Sequence, residues 1–197
     1  MLKVAITGNI GSGKTTICKV FEILGVPVFY ADLQARECLD EKEIKVAILK
    51  EFGATVFDKN NDVVRKLLAE LVFRNKKKLE SLNQIIHPRV NDKYAKWMAQ
   101  LPPTPYCIKE AAIVFETATQ SKYDYTIMVF APDEMLIERT MKRDGQTIAE
   151  VKARLANQMS QKEKINLADF VINNDNETLV IPQIIKLHND FIIPLGK

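Results

Sequence analysis

At 197 residues and 47% hydrophobic, the chain is long enough to bury one substantial core, and it suits a single unit carrying a small insertion. Its formal charge of +3 is mild, and the short run Lys76-Lys77-Lys78 beside Glu80 reads as a solvated helix face in preference to a nucleic-acid patch. No apolar run approaches the ~18 residues a membrane span needs, and three scattered cysteines without a CxxC (Cys18, Cys38, Cys107) argue for a reducing cytoplasm over a disulfide framework or zinc site.

The opening MLKVAITG does not read as a signal peptide, because a lysine and a glycine interrupt the apolar stretch. Leu2 to Thr7 predicts a buried strand. Gly8 to Gly13 is a glycine-rich turn. Ile17, Val20, Phe21 and Leu24 recur at helical spacing, so Lys14 to Leu24 predicts a helix that Gly25 stops. Val26 to Ala31 predicts a second strand, and a helix follows from Asp32 to about Leu39. Strand, helix, strand in so short a span is a βαβ unit and implies a parallel sheet.

Glu41 to about Gln100 reads as helices, with stripes Ile44/Ile48/Phe52, Leu67/Leu68/Leu71 and Leu79/Leu82/Ile86. Pro88 is expected to break the third stripe, with a restart from Val90 to Met98. Leu101-Pro102-Pro103-Thr104-Pro105 is a linker. Tyr106 to Ile108 and Tyr125 to Phe130 predict strands, and Asp133 to Arg143 a helix ended by Asp144-Gly145. Thr147 caps the next helix, with Glu150 completing a capping box. Phe170 to Ile172 predicts the last strand and Thr178 to His188 the closing helix. Strands alternating with helices predict a three-layer α/β core, and the helix-rich middle an insertion.

Gly8-Asn9-Ile10-Gly11-Ser12-Gly13-Lys14-Thr15 fits GxxxxGK[ST]. Glycines let successive backbone N–H groups turn inward onto phosphate oxygens, and the helix that follows adds its positive end. Lys14 reaches the β- and γ-phosphates of ATP, and the Thr15 hydroxyl is suited to bind Mg²⁺. A strand before and a helix after supply the context this motif requires.

Asp32 closes the second predicted strand. Ligands of open α/β sheets sit beyond the carboxyl ends of strands, and this strand is expected beside the phosphate-loop strand. A carboxylate there suits three roles: accepting a proton from an attacking hydroxyl, holding Mg²⁺ through water, or capping the next helix. No other strand-end carboxylate is expected near the loop. Arg139 and Arg143, four apart, share a helix face, and Arg154 follows on the next helix. They suit either a clamp over transferring phosphates or a solvated face. His87-Pro88 is a packing or capping pair or a functional one. Asn173 to Asn176 is a turn whose amides suit a base edge. A GTP switch is rejected, since the chain has neither DxxG nor NKxD.

These stretches, in order, resemble the dephospho-CoA kinases from about residue 5 to 175. The matching residues are Thr7 to Thr16, Leu24 to Val28, Ala31-Asp32 with Ala35-Arg36, Phe52-Gly53, Arg65 with Leu68, Val72-Phe73, His87-Pro88 and Phe115-Glu116. Arg139, Arg143 to Gly145, Arg154 with Gln158, Lys164, Ala168-Asp169 and Val171-Ile172 with Asn174 complete them. The resemblance implies a nucleoside-monophosphate-kinase-like fold. Its core is expected over about 1–40, 104–132 and 166–197, a helical acceptor-binding insertion over about 41–103, and a small helical lid over about 133–165.

It implies ATP and Mg²⁺ as cofactors and dephospho-CoA as the acceptor, whose ribose 3′-hydroxyl attacks the γ-phosphate. The implied nucleotide contacts are Gly8, Gly11, Ser12, Gly13, Lys14, Thr15, Thr16, Arg143, Arg154 and Asn174. Asp32, Lys14 and Arg139 are the implied catalytic set, and Arg36, Arg65 and His87 join Asp32 on the acceptor. A cytoplasmic monomer or weak homo-oligomer is expected, with no nucleic-acid or membrane partner. Another kinase of the same fold, acting on a different small molecule, is the alternative. The chain departs from the family pattern at Asn9 (usually Gly), Ala111-Ala112 (where many members carry a Pro), Asn173 and Asn176.

Overall fold

Five short runs of apolar and β-branched residues pair into one parallel sheet. They are β1 (Leu2–Thr7), β2 (Val28–Tyr30), β3 (Tyr106–Glu110), β4 (Tyr125–Phe130) and β5 (Phe170–Asn173). The computed structural model describes residues 1–73 and 75–192; the last residues of the expected core, 193–197, lie outside this range. The strand order is β2-β3-β1-β4-β5, with Val4 opposite Ile108 on one side and Tyr125 on the other. β1 is therefore central and covered on both faces, which is why its buried stretch Val4-Ala5-Ile6 is apolar without alternation.

One expectation fails here. β2 does not neighbour β1, because β3 is inserted between them, with Tyr30 opposite Glu110 and Glu110 opposite Ile6. Hydrogen bonding across more than 100 residues sets this order, and no local pattern encodes it.

The chain divides into two compact units. The first, Met1–Tyr30 with Leu101–Lys197, contains the sheet. Helix α1 (Lys14–Ile23) and the closing helix, Val180–Ile192, pack together; Phe21, Tyr106, Ile184 and Phe191 are part of their shared core, at 2% exposure or less. Burying one such large side chain contributes about 1.5–3 kcal/mol.

The second unit, Ala31–Gln100, is helical. It holds α2 (Ala31–Cys38), α3 (Lys42–Phe52), α4 (Arg65–Phe73) and α5 (Lys76–Ala99), and the first three all pack on α5. Pro88 does not break α5 but lies inside it. Its ring removes one backbone hydrogen bond, yet Pro88 is exposed, so water can serve the freed carbonyl, while Ile86 and Val90 on either side are buried. Glu41 ties α3 to α5 through Arg89 and, at 2.9 Å, Lys93.

In the first unit, three helices follow β4: α6 (Asp133–Asp144), α7 (Ile148–Ala156) and α8 (Gln161–Leu167). Gly145 ends α6 in the left-handed conformation, and Thr147 and Glu150 form the predicted capping box. α8 was not expected. Its start was nevertheless written in the sequence as a second capping box, Ser160 with Glu163. The closing helix, α9 (Val180–Ile192), begins two residues later than predicted.

Candidate active site

The loop after β1 turns through two glycines that no other residue replaces without strain. Gly11 (φ 83°) and Gly13 (φ 91°) adopt left-handed backbone. A Cβ on Gly11 would lie 2.4 Å from the Leu136 carbonyl oxygen of α6, and one on Gly13 would lie 2.3 Å from Asn174 Nδ2. The loop is thus clamped between α6 and the turn after β5. α1 starts with neither a side-chain cap nor an acidic residue in its first turn, so its positive end is left uncompensated.

Lys14 is buried, and its Nζ donates to the carbonyls of Gly8 (2.8 Å) and Asn9 (3.3 Å). Thr15 and Thr16 are exposed. Ser12 Oγ is buried without a hydrogen-bond partner among the described residues. Such a group costs about 1–3 kcal/mol unless something satisfies it, and an oxygen of a bound group is one chemistry that does so.

The expectation that no strand-end carboxylate besides Asp32 would lie near the loop fails, because one ends the strand that pairs with β1. Glu110 ends β3 opposite Ile6 and is 4% exposed. The Cys18 thiol is pushed up by burial first and by the Glu110 charge second, while Lys14 pulls it down. Glu110 and Lys14 therefore act on the same small region. The signal was available: two charges, Lys109-Glu110, end an otherwise apolar strand.

Thr15 and Glu110 offer one hydroxyl and one carboxylate. No cluster of three or more His, Cys, Asp or Glu side chains suited to a metal exists among the described residues. This donor set fits Mg²⁺, which is held by one or two protein oxygens and takes its other ligands from phosphate and water.

The three arginines do not form one group. Arg139 donates to the Asn174 carbonyl (3.1 Å) and to Asn176 Oδ1 (2.9 Å), so it fastens α6 to the turn after β5. Arg143 grips Asp144 with two bonds of 2.7 and 2.9 Å, and Arg154 reaches the same carboxylate at 3.0 Å. The Arg143 bonds first, helped by Arg154, hold the Asp144 carboxyl down at about 2, against the opposing effect of its burial. Asn174, expected at the base edge, donates its amide to the Ser12 carbonyl at 2.7 Å and so braces the phosphate loop itself.

In the helical unit, Asp32 is the second residue of α2, one position past the helix start, and is exposed. Arg36 follows one turn on and is also exposed. Arg65 opens α4 and pairs with Asp40 at 2.9 Å. His87 is half-buried on α5. None of the four lines the groove of about 480 Å³ in this unit, which is bordered by Thr55, Leu67, Glu70, Leu71 and Lys78 among others.

The family model for dephospho-CoA kinase matches residues 2–179. A dephospho-CoA kinase of Salinibacter ruber is 38% identical over 178 residues, covering 89% of each chain. Among solved structures, TT1252 from Thermus thermophilus superposes with a TM-score of 0.83 at 29% identity, covering 100% of this chain and 98% of the other. The dephospho-CoA kinase from Campylobacter jejuni gives 0.68 at 27%, covering 98% of both.

Proposed function

This chain belongs to the dephospho-CoA kinase family, and on that footing we propose that it moves the terminal phosphoryl group of ATP onto the ribose 3′-hydroxyl of dephospho-CoA, giving CoA and ADP. The observation that carries the nucleotide half is the loop from Gly8 to Thr15, with its buried lysine and uncapped helix start. The acceptor half rests on family membership.

In the transfer, a bond forms between the 3′-oxygen and the γ-phosphorus as the bond from that phosphorus to the bridging oxygen breaks. The hydroxyl proton leaves as charge spreads over the equatorial oxygens. Lys14 leaves its two loop carbonyls for the β- and γ-oxygens. Gly8, Gly11, Ser12, Gly13, Thr15 and Thr16 supply the cradle. Bound Mg²⁺ would neutralise phosphate charge, with the Thr15 hydroxyl and the Glu110 carboxylate as the residues that hold it directly or through water. Arg139, Arg143 and Arg154 stabilise developing charge.

Asp32 takes the acceptor's proton, or orients the hydroxyl where the loose transition state makes a strong base unnecessary. Arg36, Arg65 and His87 serve the acceptor's pyrophosphate. Three free, buried cysteines support a reducing, cytoplasmic setting, and no described helix is long and apolar enough to cross a membrane.

The deciding experiment measures ADP release with dephospho-CoA, AMP, adenosine and shikimate as acceptors, and weighs the product by mass spectrometry. Phosphate on dephospho-CoA is the expected result. Phosphate on AMP but never on dephospho-CoA overturns the assignment.

A further inference from the structure

Lys164 is the side chain that the proposed transfer leaves unused and that burial makes hardest to ignore. It has no exposed surface, although burying an ammonium is costly unless it is paired. Its Nζ lies 2.7 Å from Glu116 Oε1 and 3.0 Å from the Ala112 carbonyl.

The same Glu116 oxygen accepts the backbone N–H of Met159 at 3.0 Å, in the linker between α7 and α8. That linker grips the phosphate loop from outside at two successive residues. The Met159 carbonyl accepts from Asn9 Nδ2 at 3.3 Å, and Gln158 Oε1 accepts from the Ile10 N–H at 3.0 Å. The Ala112 carbonyl that Lys164 holds also accepts from Thr7 Oγ1, at the end of β1, at 3.2 Å. One ammonium therefore sits at the root of two hydrogen-bonded paths that end on either side of Gly8.

We infer that Lys164 and Glu116 are a positioning pair for phosphate binding, fixing the outer wall of the phosphate loop through Met159 and Gln158 without touching the nucleotide. Asn9 takes part here. A glycine at that position has no side chain to reach Met159, so this chain carries a direct anchor from the loop to the linker. The inference rests on the loop binding nucleotide and is independent of which acceptor is used.

The test therefore measures ADP affinity by calorimetry together with the hydrogen-exchange rate of the Ile10 amide, in Glu116→Gln, Lys164→Met and the double variant. Glu116→Gln keeps an oxygen for Met159 but removes the charge that compensates the lysine. Each single variant is expected to weaken ADP binding by roughly 10- to 100-fold, the scale of a loop misplaced by about 1 Å. Faster exchange at Ile10 and an unchanged KM for dephospho-CoA are expected alongside.

The double variant leaves no uncompensated charge, so its melting temperature should recover towards wild type while ADP affinity stays low. A purely structural pair predicts that the two recover together, and that result overturns the inference. So does a folded Glu116→Gln protein that binds ADP as the wild type does. Should Lys164→Met fail to fold, the Glu116→Gln variant still decides the question. Failure of the acceptor assignment would appear in the product analysis and leave these binding measurements untouched.

Discussion

Lys14, Gly11 and Asp32 each carry a different kind of expectation. Lys14→Ala deletes a charge that meets the β- and γ-phosphates, and its loss should lower kcat/KM by more than tenfold, above ~1.4 kcal/mol, in a folded protein. Steady-state kinetics beside a circular-dichroism melt checks this, and retention of more than a tenth of the activity denies the loop its role. Gly11→Ala forces a methyl towards the Leu136 carbonyl in left-handed backbone. A stability loss of about 1–3 kcal/mol is expected in denaturant titration, with nucleotide binding weakened as α6 is pushed from the loop; an unchanged midpoint would show that the backbone relaxes freely. Asp32→Asn keeps the shape of the side chain but cannot take a proton. A large fall in kcat with little change in ATP binding is expected, and near-normal turnover would leave the kinase intact and remove the role proposed for Asp32.

Among elements, the α6–α7 junction should depend on pH in a way that one substitution can test. Asp144 is held at about 2, against an ordinary 3.8, by the two arginines of successive helices. A carboxyl lowered on folding adds stability above its unfolded value, and that stability is lost as pH falls through the folded value. Asp144→Asn should therefore be less stable than the wild type at neutral pH, and the difference should shrink between about pH 4 and pH 2. Melts across that range test it, and a gap that stays constant with pH removes the ion pairs from the explanation.

Elements also show where sequence reading succeeded. The glycine loop, the cap at Thr147 and the stop at Gly145 are decided within a few residues, so their chemistry is local and legible. α5 was misread because a proline penalty is local while the burial that outweighs it comes from α2, α3 and α4. α8 was missed although its capping box is as plain as that of α7. Glu110 carried a local signal in Lys109-Glu110, but the neighbour that gives it meaning, β1, lies more than 100 residues away, while the separation of Arg139 from Arg154 turns on their partners Asn174 and Asp144, 35 and 10 residues off.

At the scale of the molecule, the sheet order decides which hydrogen bonds open last. β1 has partners on both sides and apolar cover on both faces, whereas β2 and β5 are edges. Native-state hydrogen exchange should find its slowest amides in β1, and the amides of β2 and β5 should exchange through smaller openings. Equal protection across all five strands would contradict this.

The same central strand delivers the loop whose lysine is already bonded to its own carbonyls. In that posture Lys14 behaves as an internal template: its ammonium joins the carbonyls of Gly8 and Asn9 and so helps to hold the loop in shape. The conformational order of the cradle is thus settled when the chain folds and is not charged against binding. A nucleotide then displaces two tethers of 2.8 and 3.3 Å instead of moulding a slack segment, so its capture should be governed by diffusion and charge more than by rearrangement of the loop.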